Sequence, residues 1–441
     1  MTLVLELPPR VEQLLTDEAE KRGLPAERVA TDILIGGLHA EPKLDLADLM
    51  AVETGEASVS LDAGKAQPPF VSAIAGKPAI ALTVAAAAVV ALTACGSSPG
   101  SRPPDTALAA PSSAPASASR TLAETGSSLM APLFAPWAPA YHARFSQVTL
   151  RTTSSSSGEG ISSAAAGKAD MGASDAFLSP ATLATYSSLV NIPLAVAALK
   201  VVYNVPGIGA SAHLRLDGTV LARIFSGKID SWDDPAIAAL NPGMKLPGTA
   251  IVPVHRADSS GSTFLFTSYL NAQDPSGWSS SLIGTTVAWP RPPGALGATG
   301  SDAIISRVGS APGAIGYVGV SYLSQVRGAN EGEAALGNTA GRFVLPSARA
   351  IQAALSSFTS TPASETISLI NGSAAQAYPI INYEYAVVDT SKPSAARAQD
   401  LRAFLSWAVT TGTAQLAKAN FQPLPPSIVT LSDAQIAKIR G

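Results

Sequence analysis

A single cysteine, Cys95, occurs in 441 residues, so the chain can form no internal disulfide and no cysteine-rich metal cage. Charge is scarce too. Asp, Glu, Lys and Arg make up 14% of the residues and the formal net charge is −3, which argues against a nucleic-acid sheath or a polybasic membrane patch. Any anion held by such a chain must be held by local geometry. Histidine is limited to His39, His142, His213 and His255. Neither a His-Glu-x-x-His pair nor a Gly-x-x-x-x-Gly-Lys-Ser/Thr loop is present, which removes the common zinc-hydrolase and nucleotide-hydrolase signatures. No metal and no cofactor is expected, and catalysis, at most phosphoester hydrolysis, is the weaker class of function. Apolar residues are plentiful at 46%, inflated by alanine, and the length suits two or three domains.

The lone thiol has an explanatory context. Pro78 to Ala94 is an apolar run preceded by Lys65 and Lys77 and followed by Cys95-Gly-Ser-Ser. It is slightly short for a membrane span and reads as the core of a signal peptide, with a buried hydrophobic helix as the plainer alternative. Leu92-Thr93-Ala94-Cys95 resembles the bacterial lipobox, in which the cysteine is lipidated and becomes the mature N-terminus. Residues 67–94 are therefore expected to be a lipoprotein signal segment. Residues 95–120, rich in Ser, Pro and Ala, are expected to be an extended tether.

Residues 1–66 precede that signal and do not belong to it. Thr2 to Leu7 reads as a strand, Val11, Leu14, Leu15 and Ala19 recur at helical spacing, and Ala26 to Gly36 reads as a second helix after Gly23-Leu24-Pro25. This order resembles a ribbon-helix-helix antitoxin. The strand carries no basic residue, so no nucleic acid is expected as partner. Export signals normally stand near the N-terminus. Two arrangements follow: a translation start near Met50 or Val71, which is favoured, or a cytoplasmic segment attached to an uncleaved anchor.

From Leu122 onward, short apolar runs alternate with helical stretches: Val148–Arg151, Leu194–Tyr203, Ala250–Val254, Ile315–Val320 and Ile380–Val388. That alternation predicts an α/β architecture with largely covered sheets. Three segments place serine or glycine at the mouth of a helix. They are Gly126-Ser127-Ser128-Leu129 before Ala131–His142, Ser154–Ser157 with Gly158-Glu-Gly160 before Ile161–Ala166, and Ser260-Gly261-Ser262 before Thr263–Asn271. At such mouths a hydroxyl can donate to an oxyanion while unpaired backbone N–H groups point the same way. Each mouth alone is equally an ordinary N-cap. Arg256, four residues ahead of the third mouth, adds a fixed cation, and Asp258 is spaced to hold it unless the two form only an exposed ion pair.

Asp175, in Gly172-Ala173-Ser174-Asp175-Ala176, places a carboxylate in an anion site. Such a group suits a ligand that brings a proton, as hydrogen phosphate does and sulfate at neutral pH does not. A turn or cap before Leu178-Ser-Pro is the alternative.

Together these segments resemble the substrate-binding protein of the bacterial phosphate ABC importer. The resemblance rests on Ser128-Leu-Met-Ala-Pro-Leu-Phe-Ala-Pro-Trp137, Ser157-Gly-Glu-Gly-Ile161, Gly172-Ala-Ser-Asp-Ala176, Leu221-Ala-Arg-Ile-Phe-Ser-Gly-Lys-Ile-Asp-Ser-Trp232, Arg256-Ala-Asp-Ser-Ser-Gly-Ser262, Pro312-Gly-Ala-Ile-Gly-Tyr-Val318 and Tyr378-Pro-Ile-Ile-Asn-Tyr-Glu-Tyr385. It implies a two-lobed periplasmic-binding-protein-like fold of type II with the ligand cleft between lobes. Lobe 1 would comprise residues 121–196 and 377–441, and lobe 2 residues 197–376. The implied ligand set is Ser128, Leu129 through its backbone, Ser157, Asp175 as proton acceptor, Arg256, Ser260, Gly261 and Ser262, with Asp258 orienting Arg256. The family commonly has threonine and an aromatic where Ser128 and Leu129 stand, and threonine at Ser262.

The expected function is a lipid-anchored, extracytoplasmic receptor that binds inorganic phosphate and delivers it to a membrane-embedded ABC permease. The expected membrane attachment is the lipid on Cys95, and a monomer is expected. A receptor for another protonated oxyanion or a phosphonate is the nearest alternative.

Overall fold

The computed structural model describes residues 120–441 and the backbone of residues 2–5 and 80–83. The chain divides into two units, Met1–Pro104 and Asp105–Gly441. In the first, the strand expected at Thr2–Leu7 is present as β1, Thr2–Leu5, paired antiparallel with β2, Ile80–Thr83. The two helices expected near the N-terminus, the rest of the signal segment, Cys95 and the tether up to residue 119 lie outside the described residues.

In the second unit the polypeptide alternates strands and helices as its apolar pattern predicts. β3, Arg120–Ser127, leads into α1, Ala131–Arg144. β4, Val148–Ser155, leads into α2, Ser157–Ala165, and is followed by β5, Met171–Ser174. β3 lies between β4 and β5 and is parallel to both. Helix α1 contains Pro136 and Pro139 in its interior, each a cost of roughly 3 kcal/mol. Its buried face offsets that cost. Trp137 meets Phe404 and Trp407 edge-on at 6.2 Å and donates through Nε1 to Gly412 O at 2.9 Å.

The long strand β6, Leu189–Asn204, organises the remainder. Every residue from Asn191 to Tyr203 is buried, because both faces of the strand are covered. A short strand β7, Arg215–Leu216, precedes β8, Val252–Arg256, and α3, Gly261–Gln273. Next come β9, Leu296–Ala298, α4, Ser301–Ser310, and β10, Ala314–Gly319. β11, Gly332–Glu333, pairs with β6, while β12, Ala335–Gly337, joins β7 and β13, Phe343–Val344, in a small sheet. β14, Ile381–Asp389, closes the strand set, and α5, Ala395–Val409, supplies Phe404 and Trp407.

The main sheet runs β4-β3-β5-β14-β6-β10-β8-β9. Residues Leu189–Ala198 of β6 pair antiparallel with β14, and residues Leu199–Asn204 pair antiparallel with β10. The strand thus passes from one parallel group, β4-β3-β5, to another, β10-β8-β9. This is the two-lobed fold, with one continuous strand common to both lobes.

Candidate functional site

The carboxyl ends of β3, β4, β5, β8 and β9 all release the chain toward one crevice, where ligands of open α/β sheets are held. β3 ends in Ser127 and continues through Ser128 and Leu129 to α1. β4 delivers Ser157 at the start of α2, and β5 runs directly into Asp175. From the other lobe, β8 ends at Arg256, the following loop reaches Ser260 at the head of α3, and β9 leads to Ser301 at the head of α4.

Arg256 is buried, and its guanidinium is fixed on two sides. Nε donates to Asp258 Oδ1 at 2.6 Å and Nη2 donates to Asp258 Oδ2. Nη1 crosses to the other lobe and donates to Ser128 Oγ at 3.1 Å. Ser128 Oγ also accepts from Ser301 N–H at 3.1 Å and lies 2.9 Å from Ser301 Oγ. Burial opposes charge on Arg256, but the bonds and charge of Asp258 outweigh it and hold the guanidinium's pKa above its ordinary value. Burial likewise works against Asp258, and the bonds to Arg256 overcome it and lower its pKa.

Asp175 is buried opposite. Its Oδ2 accepts from Ser262 Oγ of the other lobe at 2.8 Å, and its Oδ1 accepts from Ser127 Oγ. Burial pushes its pKa up, against the Ser127 and Ser262 hydroxyls and the Arg256 charge, which favour the carboxylate. Ser157 Oγ accepts from Gly261 N–H at 3.0 Å and Asp175 N–H at 3.3 Å, so its own proton remains to be donated. Gly158 N–H donates to Ser259 O at 2.9 Å, a further tie between the lobes. Ser260 Oγ is buried and has no partner among the described residues.

The residues singled out in the sequence therefore meet. Ser128, Leu129, Ser157, Asp175, Arg256, Ser260, Gly261 and Ser262 are all buried. Hydrogen bonds join Asp175, Ser157, Gly261 and Ser262 in one group, which Leu129 N–H reaches through Ser127. Arg256 and Ser128 form another, with Asp258 behind Arg256 and the Ser260 side chain taking no part. Several plainer readings are corrected. Arg256 and Asp258 are no exposed ion pair, since their side chains are 2% and 13% accessible. Asp175 caps nothing: the next helix begins on Ser179, which accepts from Thr182 N–H. The capping serine of α2 is Ser156, bonded to Glu159 N–H, which leaves Ser157 free of that duty. Ser260 stands at the N-cap of α3 yet makes no side-chain cap bond. Leu129 N–H donates to Ser127 Oγ at 3.1 Å, and its side chain packs against Gly319, where a Cβ would lie 2.4 Å from Leu129 Cγ.

Ser127, Ser301 and Glu384 border the site without having been picked out. Gly300-Ser301 is a further serine at a helix mouth, so the same pattern pointed to it. Ser127 stood within the quoted Gly-Ser-Ser triplet. Glu384 lies within the Tyr378–Tyr385 segment that carries the resemblance, but that segment gave it no role, and its place beside Asp175 follows from strand pairing.

The chain is similar to known proteins in sequence and in fold. The profile of the PBP superfamily domain matches residues 111–411. The phosphate-binding protein PstS of Xylella fastidiosa strain 9a5c is 33% identical over 326 residues, 74% of this chain and 87% of that protein. The chain belongs to the PstS family of phosphate-binding proteins. The PstS of Pasteurella multocida is also 33% identical, over 72% of this chain and 90% of that protein. Among solved structures, the phosphate-binding protein from Stenotrophomonas maltophilia superposes with a TM-score of 0.58 at 22% identity, over 72% of this chain and 94% of that one. The high affinity periplasmic phosphate-binding protein PfluDING, bound with phosphate, gives the same TM-score and identity over 71% and 93%. These two share the fold. As a PstS-family member the chain is a binding protein, not an enzyme.

Proposed function

We propose that this PstS-family chain is a lipid-anchored receptor at the extracytoplasmic face of the cell membrane that captures inorganic phosphate between its lobes and delivers it to an ABC importer. Arg256 would supply the cation, and Asp258 holds its fork in one orientation. The N-termini of α2 and α3 would supply backbone dipoles, the hydroxyls of Ser128, Ser157 and Ser260 would donate to anionic oxygens, and Ser262 would line the anion while its hydroxyl stays on Asp175. Leu129 and Gly261 would contribute backbone. Lobe 1, residues 121–196 and 377–441, and lobe 2, residues 197–376, would close on the anion.

The observation that carries this reading is the burial of Asp175 in the same crevice as Arg256. A site for any anion would gain from the guanidinium alone. A carboxylate there favours a ligand that can donate a proton to it, since the same lone pair facing an anionic oxygen is repulsive. Hydrogen phosphate meets that requirement, and arsenate or a small phosphonate shares it.

Calorimetric titration of the purified protein with phosphate, arsenate, methylphosphonate and sulfate tests the assignment. Micromolar phosphate binding without sulfate competition is expected, and absence of phosphate binding removes it. Mass spectrometry of the native N-terminus tests the anchor: a diacylglyceryl group on Cys95 is expected, and an unmodified chain beginning at Met1 overturns that part alone.

A further inference from the structure

Glu384 is a fully buried acid for which the phosphate-receptor reading has no use. The β5–β14 ladder ends with Tyr385 opposite Ser174, so Glu384 and Asp175 are the next residues beyond its last pair, and Asn382 Nδ2 of β14 donates to Asp175 O. Among the described residues neither Glu384 carboxyl oxygen meets a donor. Its hydrogen-bonding neighbour is the carboxyl of Asp175, which already accepts from Ser127 and Ser262. Two carboxyls can bond to each other only if one carries a proton.

The surroundings decide which one carries it. Asp175 has two hydroxyl donors and the Arg256 charge on its side. Glu384 has burial and the Asp175 charge against its ionisation, and both raise its pKa well above the ordinary range. The other neighbours bring no cation. Asn382 Nδ2 is spent on the carbonyls of Asp175 and Tyr383, and β6 presents Ala195 opposite Glu384. On its own strand the Tyr385 hydroxyl donates to Glu365 O at 3.1 Å. Helix α2, packed on β14, carries Glu159, whose carboxyl accepts from Ser163 Oγ at 2.8 Å. The helix Ala348–Leu355 carries Arg349, which is exposed.

We propose that Glu384 is a positioning residue: as a neutral acid it donates its proton to the Asp175 carboxylate and keeps Asp175 an ionised acceptor turned to the cleft. This rests on the reading of Asp175 as the acceptor of the ligand's proton. One proton is shared by the pair, and its location sets the charge behind the anion site. If Glu384 ionises, two carboxylates stand beside an anionic ligand, and binding weakens although hydrogen phosphate still has its P–OH to offer.

The test compares the full chain with E384Q and E384L. Glutamine keeps a donor and stays neutral at every pH, and leucine removes the donor. Phosphate affinity is measured by calorimetry from about pH 6 to about pH 10. Any loss of affinity that follows Glu384 ionisation is expected in the wild type alone. E384Q should match it near neutrality and show no such loss, and E384L should bind more weakly throughout. Parallel alkaline losses in wild type and E384Q, or equal weakening in E384Q and E384L, overturn the proposal. Infrared difference spectra of wild type against E384Q give a readout that needs no ligand. A protonated carboxyl band at neutral pH that E384Q lacks is expected. Its presence in a protein that binds no phosphate defeats the receptor reading alone, and its absence defeats the role of Glu384.

Discussion

Gly261 and Asp175 meet across the crevice with no space for a side chain between them. A Cβ on residue 261 would lie 2.7 Å from Asp175 Cβ, and equally close to Ala176 N and Ser157 Oγ. Glycine is required here for proximity, since the backbone of α3 must reach the end of β5 for its N–H groups to face the anion. Gly261→Ala is expected to hold the lobes apart and weaken phosphate binding about tenfold, roughly 1.4 kcal/mol. The melting temperature without ligand should change little, because each lobe keeps its own core. Calorimetry with thermal unfolding checks both. A variant that binds as tightly as the wild type would show that the lobes need not approach this closely.

Asp175→Asn tests selectivity. The amide retains the size of the carboxylate and can donate as well as accept. Phosphate affinity is expected to fall by about tenfold, while sulfate, no longer repelled by a fixed charge, should begin to compete. Competition titration reads both effects at once. Continued exclusion of sulfate by the variant would remove Asp175 from selectivity.

Asp258 makes a third prediction through the charge it neutralises. Removing one member of a buried pair leaves the other uncompensated, a cost of about 3 kcal/mol. Asp258→Asn should therefore lower stability at neutral pH. The folded protein holds the Asp258 carboxyl below its ordinary pKa. Its contribution is therefore complete above about pH 4 and lost as pH falls through the depressed value, so the gap between wild type and variant should close in acid. Denaturant titrations at neutral and acid pH measure that gap, and one independent of pH would count against the ion pair as its source.

The legibility of this chain was uneven, for physical reasons. The strand core Ile380–Val388 stood out because an apolar run records burial, and the structure shifts it to Ile381–Asp389. Val148–Arg151 stood out by alternation, with Val148 and Leu150 buried and Thr149 and Arg151 exposed, and the structure extends it to Ser155. The serine mouths were visible as local patterns. Which serine caps and which remains available was not, because Ser156 and Ser157 are equivalent until a helix start is fixed. The stability of α1 across Pro136 and Pro139 depends on Phe404 and Trp407, far along the chain. The same holds for Glu384, whose meeting with Asp175 is a property of the β5–β14 register. Local motifs expose groups that act through their own backbone, and long-range pairing hides those that act through a partner.

Glu365 shows how buried acids should shape the pH response of the whole fold. Burial pushes its pKa up to about 8, opposed by the Ser432 hydroxyl and, more weakly, the Lys438 charge. Glu124 and Glu331 are pushed to about 8 as well, again chiefly by burial. The unfolded chain releases these protons near pH 4.5, but the folded chain holds them until about pH 8. The stabilisation they give is thus complete below about pH 4.5 and declines as pH rises toward about 8. The melting temperature is expected to fall across that interval. Glu365→Gln, neutral at every pH, should make the fall shallower without abolishing it, since Glu124, Glu331 and Glu384 are likewise held protonated by burial. Its phosphate affinity should stay at the wild-type value, because Glu365 contacts Ser432 and Tyr385 and no group of the crevice. Scanning calorimetry at stepped pH makes the comparison, and an unchanged slope would mean that Glu365 is already ionised in the fold.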